Sequence, residues 1–374
     1  MNTLFKCFIA LFVLSSCDNQ GQIESTEDTG KEVSVIEGVV DLKIDTINIS
    51  SEILIAIELL VNKNYLISVD SRPKREFKAF KVFKRPEMEY LGSFGSKGDG
   101  PNEFNNMLQT SILLNEEELI AADLKHVRFY SLSGFEKALR NKSVRSYRKE
   151  RVPGSLMPLN LMIVLNDSLI GGQKDFFEKE YAMFNTNTGY TFGLASYPQL
   201  RENIPDKAAH HLYQYYSKQK PDQTKIASAY VNFPCVKVYD LETASNTMGC
   251  VSPKNQQVEN IQVGPREMSI NSFELFKYNK RLKVNNQLLV ALYIESKIIE
   301  VADKDKPNRF SYQDENLTPK YFQVFDWEAN HLLSLEIPNW VETYAVSPDH
   351  QIYFLHPEVS DKIFKIDLNH YLSF

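Results

Sequence analysis

Polar residues able to bind a ligand cluster in the run Gly95-Ser-Lys-Gly-Asp-Gly-Pro-Asn-Glu-Phe104, which carries Lys97, Asp99, Asn102 and Glu103. Glycine tolerates positive φ and proline holds φ near about −65°, so Gly100-Pro101 makes a stiff corner. Glu103 is placed to accept backbone N–H groups of that corner while Phe104 plugs an apolar gap. The same four polar residues could instead line a ligand mouth. An echo, Gly264-Pro-Arg266-Glu-Met268, follows 164 residues later and adds Arg266 to the candidates. Further basic residues, among them Arg75, Lys125 and Lys174, fall in predicted loops. On an acidic protein they would form a positive mouth suited to a peptide carboxylate or an acidic glycan.

Signatures of catalysis are sparse. The sequence holds no G-x-S-x-G elbow for a serine nucleophile. Its seven histidines include neither H-x-H nor H-E-x-x-H, and the adjacent His210-His211 would point to different sides of a strand or helix. Asp303-Lys-Asp305 supplies the first two carboxylates of a calcium loop without its glycine or terminal glutamate. No metal or cofactor is expected from these patterns, and an enzyme is the less favoured class. The net charge of −6 excludes a nucleic-acid surface, which needs a concentrated basic field.

The N-terminus speaks to compartment. After Lys6, the apolar run Cys7 to Leu14 is too short for a spanning helix of about 20 residues and fits a signal-peptide core. It ends in Leu14-Ser-Ser-Cys17, which resembles the lipobox of bacterial lipoproteins, where cleavage precedes a cysteine that then carries acyl chains. Residues 1–16 are therefore expected to be a signal peptide, and Cys17 a membrane anchor followed by a polar, mostly acidic tether to residue 38. Two cysteines then remain for an oxidising compartment, Cys235 and Cys250. If the chain folds back over Leu241 to Ala244, residues whose numbers sum to 485 face each other, which pairs Cys235 with Cys250. Opposed residues of an antiparallel pair have Cβ atoms ~4.5–5.5 Å apart, so a disulfide is expected there.

What must position these residues is a repeated pair of strands. An apolar run followed by an alternating strand recurs six times, at spacings of 53, 49, 56, 63 and 63 residues counted from Asp70, Asp123, Gly172, Ser228, Ala291 and Phe354. Periods of about 40–60 residues with several short strands each are the mark of propeller blades, the pairs being their second and third strands. The last blade lacks room for a fourth strand, and the unassigned run Val40 to Asp45 can supply it, closing the ring without an open edge. Between blades, Pro205 to Lys218 has helical composition that would set Leu212, Tyr215 and Tyr216 on one face, packed on the ring or forming an aromatic wall over its opening. Lys137 to Arg151, with seven Lys/Arg, reads as a solvated outer strand or a patch that meets lipid phosphate or an acidic partner.

The glycine corner followed by Leu119-Ile-Ala-Ala-Asp123 and Val127-Arg-Phe-Tyr130 resembles an NHL-type repeat. With its lipobox, the whole chain resembles the bacterial TolB-like six-bladed propeller lipoproteins. The expectation is an all-β fold: a six-bladed β-propeller over residues 39–374, closed by an N-terminal strand, with one short helical insertion. In function it is expected to be a lipid-anchored propeller of the cell envelope, on the outer membrane and facing the periplasm or the surface. It would bind an envelope protein, a peptide, an anionic glycan or a small anion. The alternative is a hydrolase or lyase, resembling six-bladed lactonases that hold a metal in the channel with residues from separate blades.

Overall fold

The computed structural model describes residues 31–32, 42–50, 53 and most of 56–372. Within that span, the stretches outside the description include 71–77, 152–162, 173–178, 199–208, 252–260, 264–267, 271–275, 301–309 and 313–317, with scattered shorter gaps.

Among the described residues, six sheets are blades of antiparallel strands, and two further two-stranded pairs lie outside them, Ser96–Lys97 with Glu103–Phe104 and Ile261–Val263 with Met268–Ile270. Blade 1 comprises Glu58–Val61, Tyr65–Val69, Phe80–Lys84 and Glu89–Phe94. Blade 2 comprises Met107–Leu114, Glu118–Asp123, His126–Ser131 and Arg148–Arg151. Blade 3 is Ile163–Asn166, Leu169–Gly172, Tyr181–Asn185 and Thr191–Leu194. Blade 4 is Tyr215–Gln219, Lys225–Tyr230, Cys235–Asp240 and Asn246–Cys250, with Lys31–Glu32 lying parallel to its outer edge. Blade 5 comprises Phe276–Val284, Leu288–Glu300, Lys320–Asp326 and His331–Ile337, and Phe310–Tyr312 pairs with the far end of its long second strand. Blade 6 is Tyr344–Val346, Gln351–His356 and Val359–Asp367, completed by Asp45–Asn48 from the N-terminal side.

Alternation along each strand builds the core. Side chains of a strand point to opposite faces in turn, and a blade has a neighbour on both faces, so its middle strands must be apolar throughout. In blade 1, Leu66 and Phe83 pack toward blade 6, while Ile67, Val69, Phe80 and Val82 pack toward blade 2. Six buried clusters result, one for each interface between neighbouring blades. The hairpin from first to second strand is set by a short polar side chain that accepts backbone N–H groups, a turn-forming habit of asparagine. Asn62, Asn115 and Asn285 do this in blades 1, 2 and 5, and the Ser347 hydroxyl does it in blade 6.

All six expected pairs are the second and third strands of successive blades. The ring closes as expected, although the closing strand starts later than Val40: Asp45 to Asn48 pair with Lys365 to Lys362, and Leu42 and Ile44 pack on the cluster between blades 5 and 6. The expected helix over Pro205 to Lys218 is met in part: of its described residues Ala209 and Leu212 are helical, and the Tyr213 N–H donates to the Ala209 carbonyl at 2.8 Å, but the chain turns to strand by Tyr215. Tyr215–Gln219 is the first strand of blade 4, its buried Tyr215, Ser217 and Gln219 alternating with half-buried Tyr216 and Lys218, a period of two. A further α-helix, Phe135–Arg140, overlaps the start of the Lys137 to Arg151 tract that was expected to be an outer strand. There Phe135 and Leu139, four apart, bury one face against blade 1, and only Arg148–Arg151 is the outer strand.

Candidate functional site in the central channel

The glycine corner is a structural joint. The Glu103 carboxylate accepts the Gly100 N–H at 2.9 Å, and a Cβ on Gly98, which sits at φ 148°, would collide with that carboxylate. Phe104 is fully buried between blades 1 and 2, with the Arg128 guanidinium 4.7 Å over its ring. Asn102 donates to the Val144 carbonyl, and Lys97 is exposed. Tyr215 is buried between blades 3 and 4 with its hydroxyl donating to the Glu180 carbonyl, and Tyr216 packs toward blade 5, so the two do not share a wall. Cys235 and Cys250 are directly opposed in the third and fourth strands of blade 4 and are disulfide-bonded. Cys17, Arg75, Asp99, Lys125, Lys174 and Arg266 lie outside the described residues, as does most of the expected basic mouth.

A different group converges in the channel, which the first strands of the blades line. Glu58 begins the first strand of blade 1, and its side chain meets cations from blades 4 and 5. Lys218 Nζ lies 3.4 Å from Glu58 Oε1, Arg281 Nη1 lies 3.4 Å from Oε2, and Lys283 Nζ donates to Oε1. Arg281 also donates to the Ile57 carbonyl at 2.7 Å, and Lys283 to the Leu59 carbonyl at 3.0 Å. Arg281 and Lys283 are two apart on one strand and so share a face. Glu58 is 3% exposed and Lys283 5%, so the cluster is largely removed from water.

Among the described residues, three basic side chains therefore face one carboxylate, an excess of two positive charges when Lys283 is protonated. Burial works to raise the Glu58 carboxyl, but Lys283, Lys218 and Arg281 together hold it below the usual carboxylate range. Burial pushes the Lys283 ammonium down to about 7, with repulsion from Lys218 and Arg281 adding to it and Glu58 opposing. Beside the cluster is a cavity of about 90 Å³ whose lining includes Lys218, Lys283, Gln219, Leu113, Ile120 and Val164. Gln219 Oε1 accepts the Val164 N–H at 3.1 Å, while its Nε2, buried, has no partner among the described residues. An adjoining vestibule of about 320 Å³ shares Val61, Leu114, Asn115 and Val346 with the cavity and is lined at the first-to-second strand hairpins by Glu116, Glu117 and Asp222 with Asn115 and Asn285.

This donor set suits an anion. Desolvated cations with an unpartnered amide N–H bind negative charge far more strongly than they would in water. Among the described residues, no three His, Cys, Asp or Glu side chains come together in a way that could hold a metal. Sequence reasoning missed Glu58, Gln219, Arg281 and Lys283, and met Lys218 only as the end of an expected helix. A signal was present in Arg281-Leu-Lys283, where two charges flank Leu282 and so share the opposite face of a strand just before an apolar second strand.

A profile of the TolB-like 6-blade propeller-like family matches residues 50–349. Among solved structures, a DUF4221-family protein from Bacteroides vulgatus superposes with a TM-score of 0.56 at 9% identity, covering 88% of this chain and 97% of its own. A protein from Bacteroides fragilis designated as exported superposes with a TM-score of 0.51 at 11% identity, covering 89% of this chain and 97% of its own. No protein of curated function matches the chain by sequence.

Proposed function

The chain belongs to the TolB-like six-bladed propeller family, and from that premise we propose that it is an extracytoplasmic binding propeller, tethered to the cell envelope through Cys17, that holds a small anionic ligand in its central channel. The observation that carries this reading is the surplus of basic side chains, Lys218, Arg281 and Lys283, around Glu58 among the described residues, beside a cavity. Buried charges are ordinarily paired one to one, because an uncompensated one costs several kcal/mol. An anion arriving from solution supplies the missing partner and contributes stability in proportion to its differential binding. The signal-peptide pattern with Leu14-Ser-Ser-Cys17 supports the location, the exported designation of a structural neighbour accords with it, and a disulfide at Cys235–Cys250 suits an oxidising compartment.

The test is thermal unfolding of the mature chain in acetate against gluconate at equal ionic strength. Gluconate would lay hydroxyl-bearing carbons on the apolar lining of Leu113, Ile120 and Val164 and so fits the cavity poorly. A midpoint that climbs with acetate and not with gluconate is expected; identical curves would remove the channel ligand from the account. Location is tested separately. Cys17→Ser is expected to shift the protein from the membrane to the soluble fraction and to abolish labelling by an acyl-chain analogue.

A further inference from the structure

The cavity has two kinds of wall. Lys218 and Lys283 line it from blades 4 and 5, with Lys220, Gln219, Gln223 and Asn115 among its other polar residues, while Leu113, Ile120, Val164 and Val346 belong to its apolar lining. An inorganic anion would leave that apolar surface facing nothing but itself and water. By size, about 90 Å³ compares with ~30 Å³ for one water and ~150 Å³ for a cavity that takes up benzene, so it encloses roughly three to four non-hydrogen atoms, and a longer chain reaches its mouth. Access is through the vestibule, where Glu116 and Glu117 repel anions and repel a multivalent one most. Resting on the anion-site reading above, we infer that the ligand is a short-chain monocarboxylate of two to four carbons, its carboxylate seated on Lys218 and Lys283 and its chain on Val164, Ile120 and Leu113.

Gln219 completes the polar end. Its buried Nε2 has no partner among the described residues, it lines the same cavity, and it supplies a neutral donor to an oxygen of the ligand. Longer acids fill the cavity by their fourth carbon, and further methylenes then emerge into the polar vestibule, where Asn115, Asn285 and the acidic rim offer them no apolar contact.

The experiment is calorimetric titration of the mature chain at pH 6.5 with acetate, propionate, butyrate, hexanoate and inorganic phosphate. Affinity is expected to rise about fourfold per added methylene through butyrate, to gain nothing further at hexanoate, and to be at least tenfold weaker for phosphate than for butyrate. Lys218→Met should weaken every acid tenfold or more. Val164→Ser should weaken butyrate more than acetate and so flatten the rise between them. If acetate, butyrate and phosphate bind alike and all depend on Lys218, the monocarboxylate inference falls while the anion site stands. If no anion binds, both fall. Binding that ignores both substitutions puts the ligand elsewhere and overturns the inference.

Discussion

Two buried lysine–glutamate sites in this propeller make opposite uses of the same chemistry. Between blades 3 and 4, Glu180 is fully buried and meets one cation, with Lys237 Nζ 2.6 Å from Oε2. The Tyr230 hydroxyl donates to Glu180 Oε1 at 3.0 Å, and Lys237 donates also to the Ser196 carbonyl at 2.5 Å. Charge is balanced one to one and aromatic rings seal the place. In the channel, Glu58 meets three cations beside a cavity, with an amide donor left over at Gln219. Balance and closure mark the first as a bolt between blades; surplus charge and open volume mark the second as a receptor. Burial of an ion pair does not by itself separate the two roles, whereas the charge sum and the neighbouring space do.

Equivalent substitutions at the two sites give the sharpest contrast. Lys237→Met leaves Glu180 buried without its cation and should cost about 3–5 kcal/mol in denaturant unfolding. Lys218→Met leaves Glu58 with Lys283 and Arg281 and should cost less than about 1 kcal/mol while removing anion binding. Equal losses at the two positions would erase the distinction. The disulfide belongs with the bolt. Cys250→Ser opens a loop of 15 residues, which should cost about 3 kcal/mol and leave the anion titration intact.

Removing the carboxylates separates the sites further. Glu58→Gln raises the channel excess to three cations, so stability should fall by about 1–3 kcal/mol at low salt and recover as acetate is added. Glu180→Gln should be destabilised too, with no recovery in acetate. The smallest effect is that of pH. Lys283 faces Glu58 from blade 1, Lys218 from blade 4 and Arg281 on its own strand, and it loses its proton as pH rises through about 7. Glu58 stays ionised across that range. Anion affinity should therefore weaken severalfold between pH 6 and 8.5, and titration at pH 7 should take up protons, read from the dependence of the heat on buffer ionisation. The unliganded protein behaves in the opposite sense. Because the folded state holds this proton less tightly than the unfolded one, the Lys283 contribution to stability is fully present only above the ordinary lysine range and is lost as pH falls toward 7.

The sequence made the frame legible and hid the site, for a physical reason. Second and third strands are apolar because both faces of a blade are covered, so runs such as Tyr65–Val69 and Leu288–Tyr293 stand out. The opposition of Cys235 and Cys250 followed from a local hairpin. The first strands of blades 1, 4 and 5 carry the charges Glu58, Lys218, Arg281 and Lys283 toward the channel and break the apolar pattern, so Lys277 to Lys283 passed unassigned and Tyr215 to Lys218 read as the end of a helix. The helix Phe135–Arg140 was obscured in turn because six residues give a single i, i+4 apolar pair, Phe135 and Leu139, inside a basic tract. Glu58 and Lys283 are 225 residues apart and meet only because the ring folds them across its centre. No local spacing encodes such a meeting.

The most direct test of the channel as an anion receptor is anomalous diffraction from crystals grown in bromide. The account predicts a bromide peak in the cavity within contact distance of Lys218 and Lys283, lost in crystals of Lys218→Met. Ordered bromide on the outer surface with the cavity holding only water would contradict it.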